Sequence, residues 1–322
     1  MTHHANLDIA VFGSINADLV AYFDSKHLLG TYTVGTGFEF NMGGKSLNVA
    51  KTLFAIDPSV ALIGRVGADV FGREITSRLC DSGMRTEFVI ADSTAHTGIG
   101  HVKVNVQGEY DTVVVNGAND NLVASDFQKY TSAGNEVKFV VLNLEAKIEV
   151  IKSVADHAHS IGAKVIINLS PIIEHAHELI KYCDIAVVNY EEARALTAED
   201  ELRTGQDLAK ALIAKGAKAV VLTLGKDGVC GIDLTGRFFG ITGQDLNVVN
   251  SVGAGDSFLA VFVAAIATGY ELETAAQIGN EAGKLACMRS ESYLEQAQID
   301  LIEKKFGIAF GDKKARMEKV NG

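Results

Sequence analysis

Two hydrophobic periodicities run through this chain. Residues 7–13, 138–142, 164–168, 185–189 and 219–223 are short apolar runs bounded by polar residues or glycine. Such runs predict strands buried on both faces. Residues 148–161, 191–197 and 205–215 lie between or after them and carry apolar positions three and four apart, the spacing of helices with one apolar stripe. Strand and helix alternating in this way predict a parallel sheet covered by helices. Ligands of such sheets sit beyond the C-terminal ends of the strands. Asn16, Glu145, Asn168, Asn189 and Gly225 each follow a strand end and are expected to converge on one edge.

The second periodicity is two. In residues 98–115, His101, Lys103 and Asn105 alternate with Val102, Val104 and Val106, which predicts a half-exposed antiparallel strand. Gln107-Gly108-Glu109 reads as its hairpin turn. Residues 18–40 mix Tyr, Thr, Val and Gly with no helical period. These two excursions are expected to pair into a small sheet standing off one single domain, 1–322.

Chemistry enters at Asn250-Ser251-Val252-Gly253-Ala254-Gly255-Asp256, just before a small, apolar run expected to be a buried helix. Gly253, Ala254 and Gly255 let unpaired backbone N–H groups approach an anion, and the helix dipole favours a phosphate there. A carboxylate at Asp256 would repel that phosphate. It makes sense as a base that takes a proton from a hydroxyl attacking phosphorus. Phosphoryl transfer must exclude water, so the small sheet is expected to act as a lid built from about 16–41 and 96–117.

Other strings are weaker alone. Gly43-Gly44-Lys45-Ser46 is not a P-loop, because Glu39 stands where that motif needs glycine. Its amides, with Asn48 one turn on, suit a polar ligand or simply a helix start. Asn16 and Asp18 share one face of a strand-like segment and suit vicinal hydroxyls, or form an ordinary turn. Asn189 and Glu192 read equally as a capping box and as oxygen donors that hold Mg²⁺ through water.

Composition narrows the field. The net charge is −11 with no basic block, which argues against a nucleic-acid partner. Residues 258–268 form the longest apolar run and are too short for a membrane span, and residues 1–6 lack signal-peptide character; a cytoplasmic protein with no membrane contact is expected. Cys80, Cys183, Cys230 and Cys287 lie far apart and read as free thiols. His157/His159 and His175/His177 read as solvated surface.

Taken together, these residues resemble the ribokinase-like (PfkB) carbohydrate kinases over about residues 7–289. The Gly-Gly-x-x-x-Asn element is Gly43, Gly44 and Asn48. The Asn-x-x-Glu element is Asn189 to Glu192, and the Gly-Ala-Gly-Asp signature is Gly253 to Asp256. The resemblance implies a three-layer α/β/α sandwich with a mainly parallel central sheet and a β-sheet lid, often a homodimer interface. It implies an ATP- and Mg²⁺-dependent kinase acting on a primary hydroxyl of a small sugar. The pattern favours ribose, with fructose or a nucleoside as alternatives. The intact signature argues against a non-catalytic sugar-binding regulator. The implied sugar contacts are Asn16, Asp18, Gly43, Gly44, Lys45, Asn48 and Glu145. The implied nucleotide contacts are Asn189, Thr223, Gly225, Gly228 and Asn280. Asp256 is the implied base, with Gly253, Ala254 and Gly255 stabilising the transferring group. Phe23, Tyr32, Phe38 and Phe40 are candidates for lining a base pocket, and Lys26 and Lys103 are the only lid cations noted. Two stretches depart from the pattern. Asn250-Ser251-Val252 stands where Asp-Thr-Thr is usual, and Arg289-Ser290-Glu291-Ser292 stands where a glycine-containing segment is usual. Both regions help hold a monovalent cation in the family, so the departures argue against activation by K⁺.

Overall fold

The computed structural model describes residues 6–24, 32–106, 110–198, 204–243, 251–289 and 291–310. The hairpin turn expected at Gln107-Gly108-Glu109 lies outside these residues, as do Lys26, Asn250 and Ser290. The first half contains β1 (Ile9–Phe12), β2 (Asn16–Phe23), β3 (Gly37–Gly43), α1 (Lys45–Ile56), β4 (Ala61–Gly67), α2 (Val70–Asp81), β5 (Val89–Asp92), β6 (Gly98–Asn105), β7 (Tyr110–Val115) and α3 (Ala124–Ser132). Then follow β8 (Phe139–Asn143), α4 (Ile148–Ser160), β9 (Lys164–Asn168), β10 (Ile185–Asn189), α5 (Tyr190–Thr197), α6 (Gly205–Ala214) and β11 (Val220–Thr223). The chain closes with β12 (Gly228–Ile232), β13 (Phe238–Thr242), α7 (Ala254–Thr268), α8 (Leu272–Cys287) and α9 (Gln296–Phe306).

The apolar runs form the centre of a nine-stranded sheet ordered β13-β12-β11-β10-β9-β8-β1-β4-β5. Pairing is parallel throughout except along β12, which is antiparallel to both neighbours. Every residue of β1 and β8 is buried, because both sheet faces are covered. Ile9 and Val11 join the core under α1, α2, α7, α8 and α9. Ala10 and Phe12 join the core under α3 to α6 on the other face. Period-two alternation within a fully apolar strand thus feeds two cores, giving the three-layer α/β/α sandwich.

Helix α7 is buried over ten consecutive residues, Asp256 to Ala265, since α1 and α8 both pack on it. A helix apolar on all sides belongs inside. Its first turn is therefore held rigidly in the body of the protein.

The two excursions, residues 18–40 and 98–115, pair into a separate four-stranded sheet ordered β3-β2-β6-β7. β2 is antiparallel to β3 and parallel to β6, and β6 is antiparallel to β7. Among the described residues no helix is long and apolar enough to cross a membrane. The four cysteines are free. His175 and His177 are exposed as expected, whereas His157 and His159 are not simply solvated surface. His157 Nε2 lies 3.0 Å from Thr131 Oγ1, and His159 Nε2 lies 3.0 Å from Asp184 Oδ2. Both are half-buried ties between elements, because α4 packs against α3 and the strand edge more closely than the spacing suggests.

Candidate active site

A cavity of about 870 Å³ is lined by residues of both sheets. From the main sheet come Asn168, Asn189 and Thr223, the last residues of β9, β10 and β11, and Glu145, two residues past β8. β2 contributes Asn16 and Asp18, α1 contributes Lys45 and Asn48, and the start of α7 contributes Gly253, Gly255 and Asp256. Residues scattered over 240 positions converge because each ends or begins an element on the same edge.

Three helix N-termini face this cavity; α5 is capped by Asn189, and those of α1 and α7 differ from it and from each other. Helix α1 has no side-chain cap at Gly44. Instead Glu145 Oε2 accepts a hydrogen bond from the Lys45 N–H at 3.1 Å, and a second one from Ser14 Oγ. Behind it, Asn143 Oδ1 accepts from Glu145 N–H at 2.9 Å, and Asn143 Nδ2 donates to Ser46 Oγ at 2.7 Å. A carboxylate thus already answers the positive end of α1. Helix α7 also lacks a side-chain cap, and the space where a Gly255 side chain would stand is open for 4 Å. Gly253 is left-handed at φ 77°, and a side chain there would collide with the backbone of Ser292. Only glycine permits this tight entry. Among the described residues no side chain answers the α7 N-terminus, where the Ala254 N–H donates to the Ser251 carbonyl at 3.3 Å.

Asp256 is 5% exposed. Its Oδ2 accepts from Asn48 Nδ2 at 2.9 Å, and Lys45 Nζ lies 4.0 Å from Oδ1. Asn48 Oδ1 is buried with no partner among the described residues, an acceptor that a ligand donor would satisfy. The Asp18 carboxylate lies between Gly43 on β3 and Gly100 on β6, where a side chain on either would collide with it. Burial raises the Asp18 carboxyl to about 6, helped by the charges of Glu145 and Asp256.

Not every expected contact reaches the cavity. Gly44 lines it but Gly43 does not; Gly43 clears room for Asp18. Gly225, Gly228, Asn280 and Ala254 are also absent from the lining. Gly225 and Gly228 shape the turn between β11 and β12, and Asn280 is partly exposed on α8. Asn189 and Glu192 form the capping box: Asn189 Oδ1 accepts from Glu192 N–H, and Glu192 Oε2 from Asn189 N–H, each at 2.8 Å. Both also line the cavity. Of the four aromatic candidates none lines it: Phe40 stacks on Phe71 at 5.8 Å, Phe23 is buried, and Tyr32 and Phe38 are exposed. The wall of the small sheet is Val20, Tyr22, Val102, Val104 and Val114 instead. The sequence reading missed Ser14, Asn119 and Asn143. Ser14 lies inside the Gly-Ser-Ile-Asn string and could have been read there; the other two carry no local signal.

A buried carboxylate at a helix start without a side-chain cap, facing a polar cradle across one cavity, defines a phosphotransferase with an alcohol group as acceptor. The chain belongs to the pfkB family of carbohydrate kinases, whose model, described as "pfkB family carbohydrate kinase", matches residues 6–297. It is 29% identical to ribokinase of Bacillus subtilis (strain 168) over 281 residues, covering 87% of this chain and 92% of that protein. The fold is similar to ribokinase from Thermotoga maritima, with TM-score 0.83 at 22% identity, over 92% of this chain and 99% of that one. It is also similar to Arabidopsis thaliana ribokinase solved with ribose and ATP, with TM-score 0.79 at 23% identity, over 93% and 99%.

Proposed function

We propose that this sugar kinase transfers the γ-phosphoryl group of ATP to a primary hydroxyl of ribose. The observation that carries the reading is the contrast between the helix starts of α1 and α7. The α1 terminus is answered by Glu145 and surrounded by Asn16, Asp18 and Lys45, a cradle for hydroxyls. The α7 terminus has no side-chain cap among the described residues and holds Asp256, a place for the transferring phosphoryl beside its base. Asp256 takes the hydroxyl proton. Amides of Gly253 and Gly255, which line the cavity, stabilise the charge that develops; the Ala254 amide donates to the Ser251 carbonyl instead. Asn189 and Thr223 face the nucleotide from the cavity wall. Gly225, Gly228 and Asn280 hold its outer portion.

Mg²⁺ fits this donor set. It keeps most of its waters and takes one or two carboxylates plus phosphate oxygens. The capping box uses Glu192 Oε2, and Glu192 and Asn189 both line the cavity. Asn189 and Glu192 would hold the ion through water, and the ion would neutralise phosphate charge. A K⁺ requirement is not part of the proposal. The small sheet acts as the lid. Val113 and Val115 on β7, which alternate with the cavity-lining Val114, are each near half exposed, which supports a homodimer through that sheet.

A nucleoside acceptor is the second reading, favoured by the apolar wall of Val20, Val102, Val104 and Val114 beyond Asp18. ADP release is measured over ribose, 2-deoxyribose, fructose, adenosine and inosine, with and without K⁺. Ribose is expected to give the highest kcat/KM. A nucleoside ahead of ribose, or sugar binding without ADP release, overturns the proposal.

A further inference from the structure

We infer that Asn119, outside the cavity, is a positioning residue that fixes which end of the Asn16 amide meets the acceptor. This rests on the sugar-kinase reading of the site. Asn119 lies in a short 3-10 turn, Gly117–Asn121, just after β7, and is 2% exposed. Its side chain reaches back to the start of β2.

The orientation follows from the backbone. The Ile15 N–H can only donate, so the Asn119 atom 3.0 Å from it is Oδ1. The other atom is then Nδ2, which lies 2.7 Å from Asn16 and 3.4 Å from the Ile15 carbonyl. Nδ2 must donate, so the Asn16 atom that meets it is Oδ1. Asn16 Nδ2 is thereby turned to the cavity that Asn16 lines. Amide orientations are usually assigned from their surroundings; here a chain of two amides ends on a backbone donor that cannot reverse. Gly98 completes the arrangement, because a side chain there would collide with both Asn16 Oδ1 and Asn119 Nδ2.

The consequence is a fixed polarity. Residue 16 presents a donor and the ionised Asp18, two positions along the same strand face, presents an acceptor. A pair of hydroxyls meets this pattern when one accepts from Asn16 and the other donates to Asp18. With the Asn16 amide reversed, both groups would be acceptors, and the hydroxyl at residue 16 would have to change partners.

The test is a double-mutant cycle of wild type, Asn119→Asp, Asn16→Ala and the double variant. The acceptor is whichever compound of the panel above the wild type turns over fastest, so failure of the ribose reading shows in the wild type alone. In Asn119→Asp the introduced carboxylate cannot donate, and Asn16 must turn its Nδ2 towards it. Acceptor KM is expected to rise about tenfold and ATP KM to stay within about twofold. The rise should grow with pH, as the introduced carboxyl loses the proton with which it can still donate. In the Asn16→Ala background the same substitution should change acceptor KM no further, since coupled neighbours are non-additive. Equal effects in both backgrounds, or a change in melting temperature alone, overturn the inference. A reading without substrate uses the side-chain ¹H–¹⁵N signals of Asn16, which must move in Asn119→Asp; unchanged signals overturn it as well. If that variant does not fold, Gly98→Ala displaces the same amide pair and takes its place in the cycle.

Discussion

Replacing Asp18 by Asn should stabilise the ligand-free protein while weakening sugar binding. Asp18 is held between Gly43 and Gly100, and its carboxyl is lifted from an ordinary 3.8 to about 6 by burial and by Glu145 and Asp256. Between these values the folded protein keeps a proton that the unfolded chain has already released. Stability therefore falls as pH rises through this window, and the full penalty is present above about pH 6. The lift corresponds to about 3 kcal/mol. Partial exposure of the side chain screens part of it, leaving roughly 2 kcal/mol. Asn keeps the shape and removes the charge. Melting of the ligand-free protein, followed from pH 4 to pH 8, should show no gain for the variant at pH 4. At pH 8 the gain should be about 2 kcal/mol, near 3 °C for a chain of this size. Ribose KM should rise by about 10-fold or more, as a charged acceptor is lost. In the wild type, ribose binding should weaken as pH falls through 6. A variant that is less stable than wild type at pH 8, or a gain that does not depend on pH, would refute the reasoning.

Asp256→Asn should lower kcat by about 10²–10⁴ while calorimetry shows the sugar Kd within a few-fold of wild type; near wild-type turnover would remove Asp256 as the base. Glu192→Gln keeps the capping geometry, so its melting temperature should hold while the Mg²⁺ concentration for half-maximal rate rises several-fold; an unchanged Mg²⁺ titration would show that Glu192 only caps α5. Arg65→Met leaves Asp126, fully buried and bonded at 2.7 and 2.9 Å, without its guanidinium, and takes the Arg65 partner from Asp92, which keeps Thr94 and Asn121. Urea unfolding should lose about 3–5 kcal/mol, and a loss under 1 kcal/mol would mean that water replaces the arginine.

The sequence carried the sheet because its central strands are continuous apolar runs. β9 and β10 begin and end where the pattern places them. β4 escaped notice because Gly64 and Arg65 interrupt its apolar run, and Arg65 is there to meet two buried aspartates, a long-range fact. The period-two pattern of residues 98–106 revealed β6, yet the parallel pairing of β2 with β6 lay beyond any local signal. The motif residues Asn48, Lys45, Glu145 and Asp256 were legible and do converge. Their supports were not: Asn143 and Asn119 act on residues 2 and 103 positions away, through hydrogen bonds that exist only in the folded chain. Gly43 was read as an amide donor, but its missing side chain is what admits the Asp18 carboxylate.

Asp18 and Asn16 ride on β2, the inner strand of the small sheet, whereas Asp256 is set into a helix buried in the main body. On the proposed function, part of the acceptor recognition rides on the small sheet, while Lys45, Asn48 and Glu145 stay in the main body, Asn48 bonded to Asp256 itself. Exchanging residues 16–43 and 98–121 for those of another carbohydrate kinase would move the small-sheet share of acceptor choice, leaving Lys45, Asn48, Glu145 and Asp256 in place. The second boundary falls after the turn that carries Asn119 rather than after β7. A graft cut at the strand end would carry the amide of Asn16 without the residue that sets its direction.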